Sequence, residues 1–239
     1  MGSSRLPGKI LYPLGGRPLL AVLAQRLVRS ARVDEWWLAT TDRADDEVTA
    51  GWGAALGLRV CSGAVEDVLS RFVAIARERN PTWIVRATAD NPFADGAVVD
   101  AMLAQTEQMP ASSDCLSEDR TNAALPLGYA PEIVRAEALL EAEAAIPDAE
   151  PHHRAHVTSW LVACGRRWPF QPPADWPARP AWRWTVDTLA DARMADQAFA
   201  LFGERWPTIS YPEMVAALDA QPDLVALNAE IQQKPVEAG

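Results

Sequence analysis

The chain has 239 residues, 49% of them hydrophobic and 23% charged, with a formal net charge of −10. That length suits one large domain or two small ones with a sizeable core. The acidic balance argues against general binding to nucleic acid or anionic membranes, and no apolar run reaches transmembrane length.

The chain opens on Gly2-Ser3-Ser4-Arg5-Leu6-Pro7-Gly8-Lys9. Glycine lets backbone N–H groups turn toward an anion. Serine hydroxyls add donors, and Arg5 and Lys9 add the charge that phosphate oxygens need. A plain surface turn is the alternative reading, and the spacing is not that of a Walker loop.

The apolar pattern then predicts a helix over 19–31, a buried strand over 36–41, a helix over 45–56 and a strand over 58–61. A helix over 65–76, a strand over 82–88 and a helix over 97–108 follow. This alternation points to an α/β fold with a mostly parallel sheet. Residues 110–125 are polar and irregular, and the region around 111–181 reads as an insertion over the ligand edge. A strand over 127–134, helices over 136–145 and 153–163, a strand over 183–186 and helices over 190–202 and 211–220 complete the series. Cys61, Cys115 and Cys164 make neither a disulfide framework nor a zinc pattern, which suggests a reduced, cytoplasmic setting. No signal-peptide core stands at the start.

Two aspartates follow predicted strand ends. Asp90 lies in Arg86-Ala87-Thr88-Ala89-Asp90-Asn91-Pro92, and Asp187 in Trp184-Thr185-Val186-Asp187-Thr188. Ligands of open α/β sheets bind at that edge, where two carboxylates can hold Mg²⁺ on a phosphate. The competing readings are a local turn at Asp90 and a capping box of Thr188 with Asp191. Arg71, Arg86 and Asp42 are further candidates for nucleotide contact, each also explicable as a local salt bridge or turn. His152 and His156 stand one helical turn apart but show no third ligand, so zinc is disfavoured. Trp36-Trp37 and the tryptophans from 160 to 184 read as packing rather than base stacking.

Taken together, these segments resemble the cytidylyltransferases of the spore-coat polysaccharide and CMP-sugar-acid type, relatives of the CMP-Kdo and CMP-acylneuraminate synthetases. The family's first loop, Arg-Met-Gly-Ser-Ser-Arg-Leu-Pro-Gly-Lys, is matched from its Met onward. Its Thr-Gly-Asp-Cys-Pro is met by 88–92 and its Trp-Thr-Val-Asp-Thr by 184–188. Its Glu-Asp-Val-Leu-x-Arg is met by 66–71, and its Arg-Glu-His-Val-Thr by 154–158. Asp223 to Asn228 also fits, so the resemblance runs through nearly the whole chain.

The resemblance implies one nucleotidyltransferase domain over 1–239, a Rossmann-like, GT-A-like mixed sheet flanked by helices. The family's first strand, ending in Gln-Ala-Arg, precedes the loop and is not part of this sequence. A start assigned late, at the Met inside the loop, would account for that. The resemblance also implies transfer of CMP from CTP to a sugar acid or related polyol. Arg5, Lys9, Asp90 and Asp187 would be catalytic, with Mg²⁺ on the two aspartates. Gly2, Ser3, Ser4, Arg5, Lys9, Asp42, Arg71 and Arg86 would meet the nucleotide, and Gly128, Glu132, Arg154 and His156 the acceptor. A homodimer is expected. Ala89 stands in place of the family's Gly, and Ala130 in place of an Asp. Two alternatives remain open: a sugar-1-phosphate nucleotidyltransferase using another NTP, and a non-catalytic homologue acting as a binding partner.

Overall fold

The computed structural model describes residues 2–3 and 5–233. Loop 2–9 turns at Gly8, whose φ of 70° favours glycine, into a hairpin of β1 (Pro13–Leu14) and β2 (Arg17–Pro18). The next elements are α1 (Leu19–Leu27), β3 (Trp37–Thr41), α2 (Glu47–Ala55), β4 (Arg59–Gly63), α3 (Val68–Arg79), β5 (Trp83–Arg86) and α4 (Gly96–Gln105). Then come β6 (Cys115–Ser117), β7 (Glu132–Arg135), α5 (Ala136–Ala145), α6 (His152–Ala155), α7 (Ser159–Ala163) and β8 (Arg167–Pro169). The chain closes with α8 (Leu189–Phe202), α9 (Tyr211–Asp219) and α10 (Pro222–Ala226). Among the described residues no helix is long and apolar enough to cross a membrane.

Helix ends follow the local chemistry. Asp67 accepts from Ser70 N–H to start α3, and Asn80 ends it at a φ of 47°. Thr188 and Asp191 form a capping box on α8, and Ser210 and Glu213 form one on α9.

Beside the β1–β2 hairpin, the described strands form two sheets with no ladder between them. β3 pairs with β4 in parallel. The other sheet runs β5-β7-β6-β8, mixed in direction. Between β3 and β5 lies a cleft of about 730 Å³. The main core packs Leu14, Phe93, Tyr129, Trp184, Phe199 and Tyr211 beneath the second sheet. Phe93 stacks on Trp184 with ring centroids 4.7 Å apart. A second cluster joins α3 to α5 through Leu69, Val73 and Leu139. One polar network crosses the interior. Arg26, fully buried, donates to Asp95 Oδ2 at 3.0 Å and to the carbonyls of Phe93, Trp206 and Ile209. Tyr129 Oη also bonds Asp95.

Several expectations change. The 111–181 stretch supplies three strands of the four-stranded sheet. The helix over 153–163 breaks into α6 and α7, because fully buried Val157 adopts a φ of 55°. Pro126, Gly128 and Pro131 delay the 127–134 strand until Glu132. Residues 183–186 form no strand: they make one isolated bridge, Leu127–Arg183, with backbone bonds from Trp184 N–H to Leu127 O and from Val186 N–H to Asp90 O. Trp36 packs, as expected, against the cluster of Leu23, Leu27, Ala94 and Val99, and both Trp36 and Trp37 line the cleft.

Candidate active site

The loop and both predicted aspartates meet. Lys9 Nζ donates to Asp90 Oδ2 and to Asp187 Oδ1, both at 2.7 Å. Arg5 Nη2 pairs with Asp187 Oδ2 at 2.9 Å, and Arg183 Nη2 reaches the same oxygen at 2.6 Å. The backbone fixes the two turns together, because Val186 N–H donates to Asp90 O at 2.8 Å. Burial opposes the Lys9 ammonium, but the Asp90 and Asp187 carboxylates outweigh it and raise its pKa above the usual 10.5. Burial likewise opposes the Asp187 carboxylate, yet Lys9, Arg5 and Arg183 bring its pKa below the usual 3.8.

Behind Asp187 stands a scaffold the sequence reading did not assign. Asp191 is fully buried, and every lone pair it offers is used. Its Oδ2 accepts from the backbone N–H groups of Asp187 and Thr188, and its Oδ1 from Arg183 Nε and Asn228 Nδ2. Thr188 therefore caps α8 while Asp187 stays free to face Lys9, so the capping and site readings hold together. Arg183 and Asp191 each stand four residues from Asp187, a spacing visible in sequence. Asn228 stands far off in the chain, marked in sequence only as the end of the 223–228 segment that fits the family pattern.

The remaining candidates spread over neighbouring ground. Ser3 Oγ accepts from Leu6 N–H at 3.3 Å and shapes the loop, and Gly2 is exposed. Ser4 lies outside the described residues. Asp42 follows β3 and is exposed, while buried Arg71 donates to Ala39 O at 3.3 Å. Arg86 pairs with Glu132 at 2.6 Å, and Thr158 Oγ1 donates to the same carboxylate at 2.7 Å. Arg154 engages its whole fork, with Nε and Nη2 on Asp67 and Nη1 on Glu143 O, and so clamps the start of α3 to α5. His156 ends α6. Gly128 has a φ of 92°, and a Cβ there would lie 2.7 Å from Asn91 Oδ1 and 2.9 Å from Thr185 N. Its bare backbone thus sits between the two aspartate-bearing turns. Asn91 Oδ1 is buried there without a hydrogen-bond partner.

Two carboxylates converging on one cation fit the usual Mg²⁺ arrangement, in which one or two carboxylates share the ion with substrate phosphates. Among the described residues no group of three His, Cys, Asp or Glu could hold a metal alone, which includes the histidines of 152–156. The cysteines are free, and burial pushes the Cys115 thiol up to about 12.

A mixed α/β sheet with a cationic loop against two turn-borne carboxylates fits a Rossmann-like nucleotidyltransferase. The chain belongs to the cytidylyltransferase family, whose model matches residues 1–155. It is 34% identical over 230 residues to the spore coat polysaccharide biosynthesis protein SpsF of Bacillus subtilis, covering 93% of this chain and 92% of that protein. It is 30% identical over 108 residues to a 3-deoxy-manno-octulosonate cytidylyltransferase of Anaeromyxobacter dehalogenans, covering 44% and 43% of the two chains. In fold it is similar to a cytidylyltransferase from Leptospira borgpetersenii, with a TM-score of 0.84, 22% identity and coverage of 98% and 95%. It is also similar to a CMP:2-keto-3-deoxy-manno-octonic acid synthetase complexed with CTP, with a TM-score of 0.59, 19% identity and coverage of 85% and 95%.

Proposed function

We propose that this cytidylyltransferase moves CMP from CTP to an oxygen of a sugar acid or related polyol. The acceptor oxygen forms a bond to the α-phosphorus, the α–β bridging bond breaks, and its electron pair leaves on pyrophosphate. The acceptor proton passes to solvent or a bound base. The observation that carries this reading is the Lys9 bridge between Asp90 and Asp187, with Arg5 beside it.

Arg5 and Lys9 neutralise the triphosphate and the departing pyrophosphate. Such chemistry depends on positioning and charge compensation more than on covalent catalysis. Asp90 and Asp187 would hold Mg²⁺, which supplies Lewis-acid polarisation of the phosphate. Arg183, Asp191 and Asn228 fix the orientation of Asp187. On the acceptor side, Glu132 is already oriented by Arg86 and Thr158, and the bare backbone of Gly128 packs directly against Asn91.

The test is pyrophosphate release with each of the four NTPs, Mg²⁺ and a panel of sugar acids and sugar-1-phosphates. Turnover confined to CTP and a sugar acid supports the reading. Turnover with another NTP and a sugar-1-phosphate overturns it.

A further inference from the structure

Asp187 differs from Asp90 in the company its carboxylate keeps. Among its recorded ion pairs in the described residues, Asp90 has Lys9 alone. Asp187 takes Lys9 on Oδ1 at 2.7 Å and two guanidinium groups on Oδ2, Arg5 at 2.9 Å and Arg183 at 2.6 Å. These two arginines are not alike. The side chain of Arg5 is 25% exposed on loop 2–9, and that of Arg183 is 5% exposed.

Arg183 is tied down on every side. Its Nε donates to Asp191 Oδ1 at 2.9 Å, its Nη1 to Gln233 Oε1 at 2.7 Å and its Nη2 to Asp187 Oδ2, so all three nitrogens are engaged. Its carbonyl accepts from Asn228 Nδ2 at 3.0 Å, and the same amide donates to Asp191 Oδ1 at 2.9 Å. Asp191 is fully buried and also accepts from the backbone N–H groups of Asp187 and Thr188. Guanidinium, anchor and the turn that carries Asp187 thus form one closed ring of hydrogen bonds. Arg183 can leave Oδ2 only by stranding a buried charge.

We propose that Arg183 is a metal-selectivity residue: it keeps Asp187 Oδ2 occupied, so that this carboxylate offers a divalent cation Oδ1 alone. The inference rests on the reading that Asp90 and Asp187 hold Mg²⁺. In that reading Arg5 and Lys9 turn to the triphosphate, and Arg183 is the cation that stays. A divalent ion bonded to Oδ2 would stand against a fixed guanidinium, and like charges repel strongly where water is scarce. Arg183 also balances Asp191, so the charge facing the ion is that of Asp90 and Asp187, which one divalent cation neutralises.

One oxygen per carboxylate suits Mg²⁺, which binds at about 2.0–2.1 Å in a strict octahedron shared with phosphate and water. It penalises Ca²⁺, which sits at about 2.3–2.6 Å, takes about six to eight oxygens and often uses both oxygens of one carboxylate. Arg183 is therefore a positioning residue that sets the choice of ion without touching it.

Mn²⁺ binding read by electron paramagnetic resonance tests this without nucleotide. The background is Arg5→Met with Lys9→Met, which clears the loop cations from both carboxylates. The free Mn²⁺ signal reports occupancy, and Mg²⁺ and Ca²⁺ are titrated as competitors. In this background Mg²⁺ should displace Mn²⁺ at lower concentration than Ca²⁺, and adding Asp187→Asn should abolish the binding. Adding Arg183→Gln should shift the preference toward Ca²⁺ by about 10-fold. That change leaves Asp191 buried and unpaired, so Arg183→Gln is also made together with Asp191→Asn, and thermal melts confirm folding. An unchanged preference in a folded Arg183 variant overturns the proposal and leaves the metal reading standing. So does Ca²⁺ displacing Mn²⁺ as readily as Mg²⁺ in the background itself, a comparison that needs no Arg183 variant. Binding indifferent to Asp187→Asn overturns the metal reading and the proposal together. A merely structural Arg183 would lower the thermal midpoint and leave the preference where it was.

Discussion

Replacing Asp187 with Asn removes one negative charge from a point where three cations meet. Lys9, Arg5 and Arg183 all lie within 2.9 Å of its carboxylate oxygens. Two of them keep a second anion, Lys9 on Asp90 and Arg183 on Asp191, so the fold should survive. Arg5 alone is left without one among its recorded ion pairs in the described residues. Losing one charge-assisted set of bonds costs about 1.5–3 kcal/mol, and for a chain of this size each kcal/mol shifts the thermal midpoint by about 2–4 °C. A drop of roughly 3–12 °C is expected. The catalytic loss should be larger, because an electrostatic group aimed at developing charge is worth about 10²–10³ in rate. The assay is steady-state pyrophosphate release from CTP at 25 °C, well below the midpoint, beside a thermal melt. Asp187→Asn with an unaltered turnover number would refute the role assigned to this carboxylate, whatever the melt shows.

The buried Arg26–Asp95 pair predicts that Asp95→Ala costs about 3–5 kcal/mol in urea unfolding, since an uncompensated guanidinium remains in the core; a loss under 1 kcal/mol would contradict it. Gly96→Ala would bring its Cβ to 2.2 Å from Ser30 N, so overpacking of at least about 1–3 kcal/mol should appear in the same unfolding curves. The depressed pKa of Asp187 means that its contribution is present above the ordinary 3.8 and is lost as pH falls through its lower folded value. The stability gap between wild type and Asp187→Asn should therefore close in melts taken below about pH 4 and stay constant from pH 5 to 9. The raised pKa of Lys9 has the opposite sign: its contribution is present below 10.5 and fades only as pH rises through the higher folded value. The stability gap between wild type and Lys9→Met should accordingly hold through pH 9 in melts and narrow only above 10.5.

The site was more legible in the sequence than the sheet was. Lys9, Asp90 and Asp187 lie far apart in the chain, yet each belongs to a compact motif whose residue types carry the chemistry. The structure joins all three at 2.7 Å. The scaffold behind them was half visible. Asp191 showed as a capping partner, but nothing local reveals that one carboxylate also holds Arg183 and Asn228. In the sheet, β6 and β8 have three residues each, too few for periodicity to register. The break at Val157 escaped because a β-branched residue at a positive φ defies local preference. Residues 183–186 have a strand's composition but follow Asp187's backbone ties instead of a ladder, an outcome decided by tertiary contacts.

Loop 2–9 carries both cations, Arg5 and Lys9, that face the paired aspartates. Leu6 fastens it to the core, as does Tyr12 just beyond it, whose carbonyl accepts from Leu19 N–H. At the site it is held by ion pairs, Arg5 on Asp187 and Lys9 on both aspartates. In the proposed reaction a metal–triphosphate would bid for those same carboxylates and those same cations. Its binding would then trade intramolecular ion pairs for contacts to phosphate, and remove ties that hold the loop in the free protein.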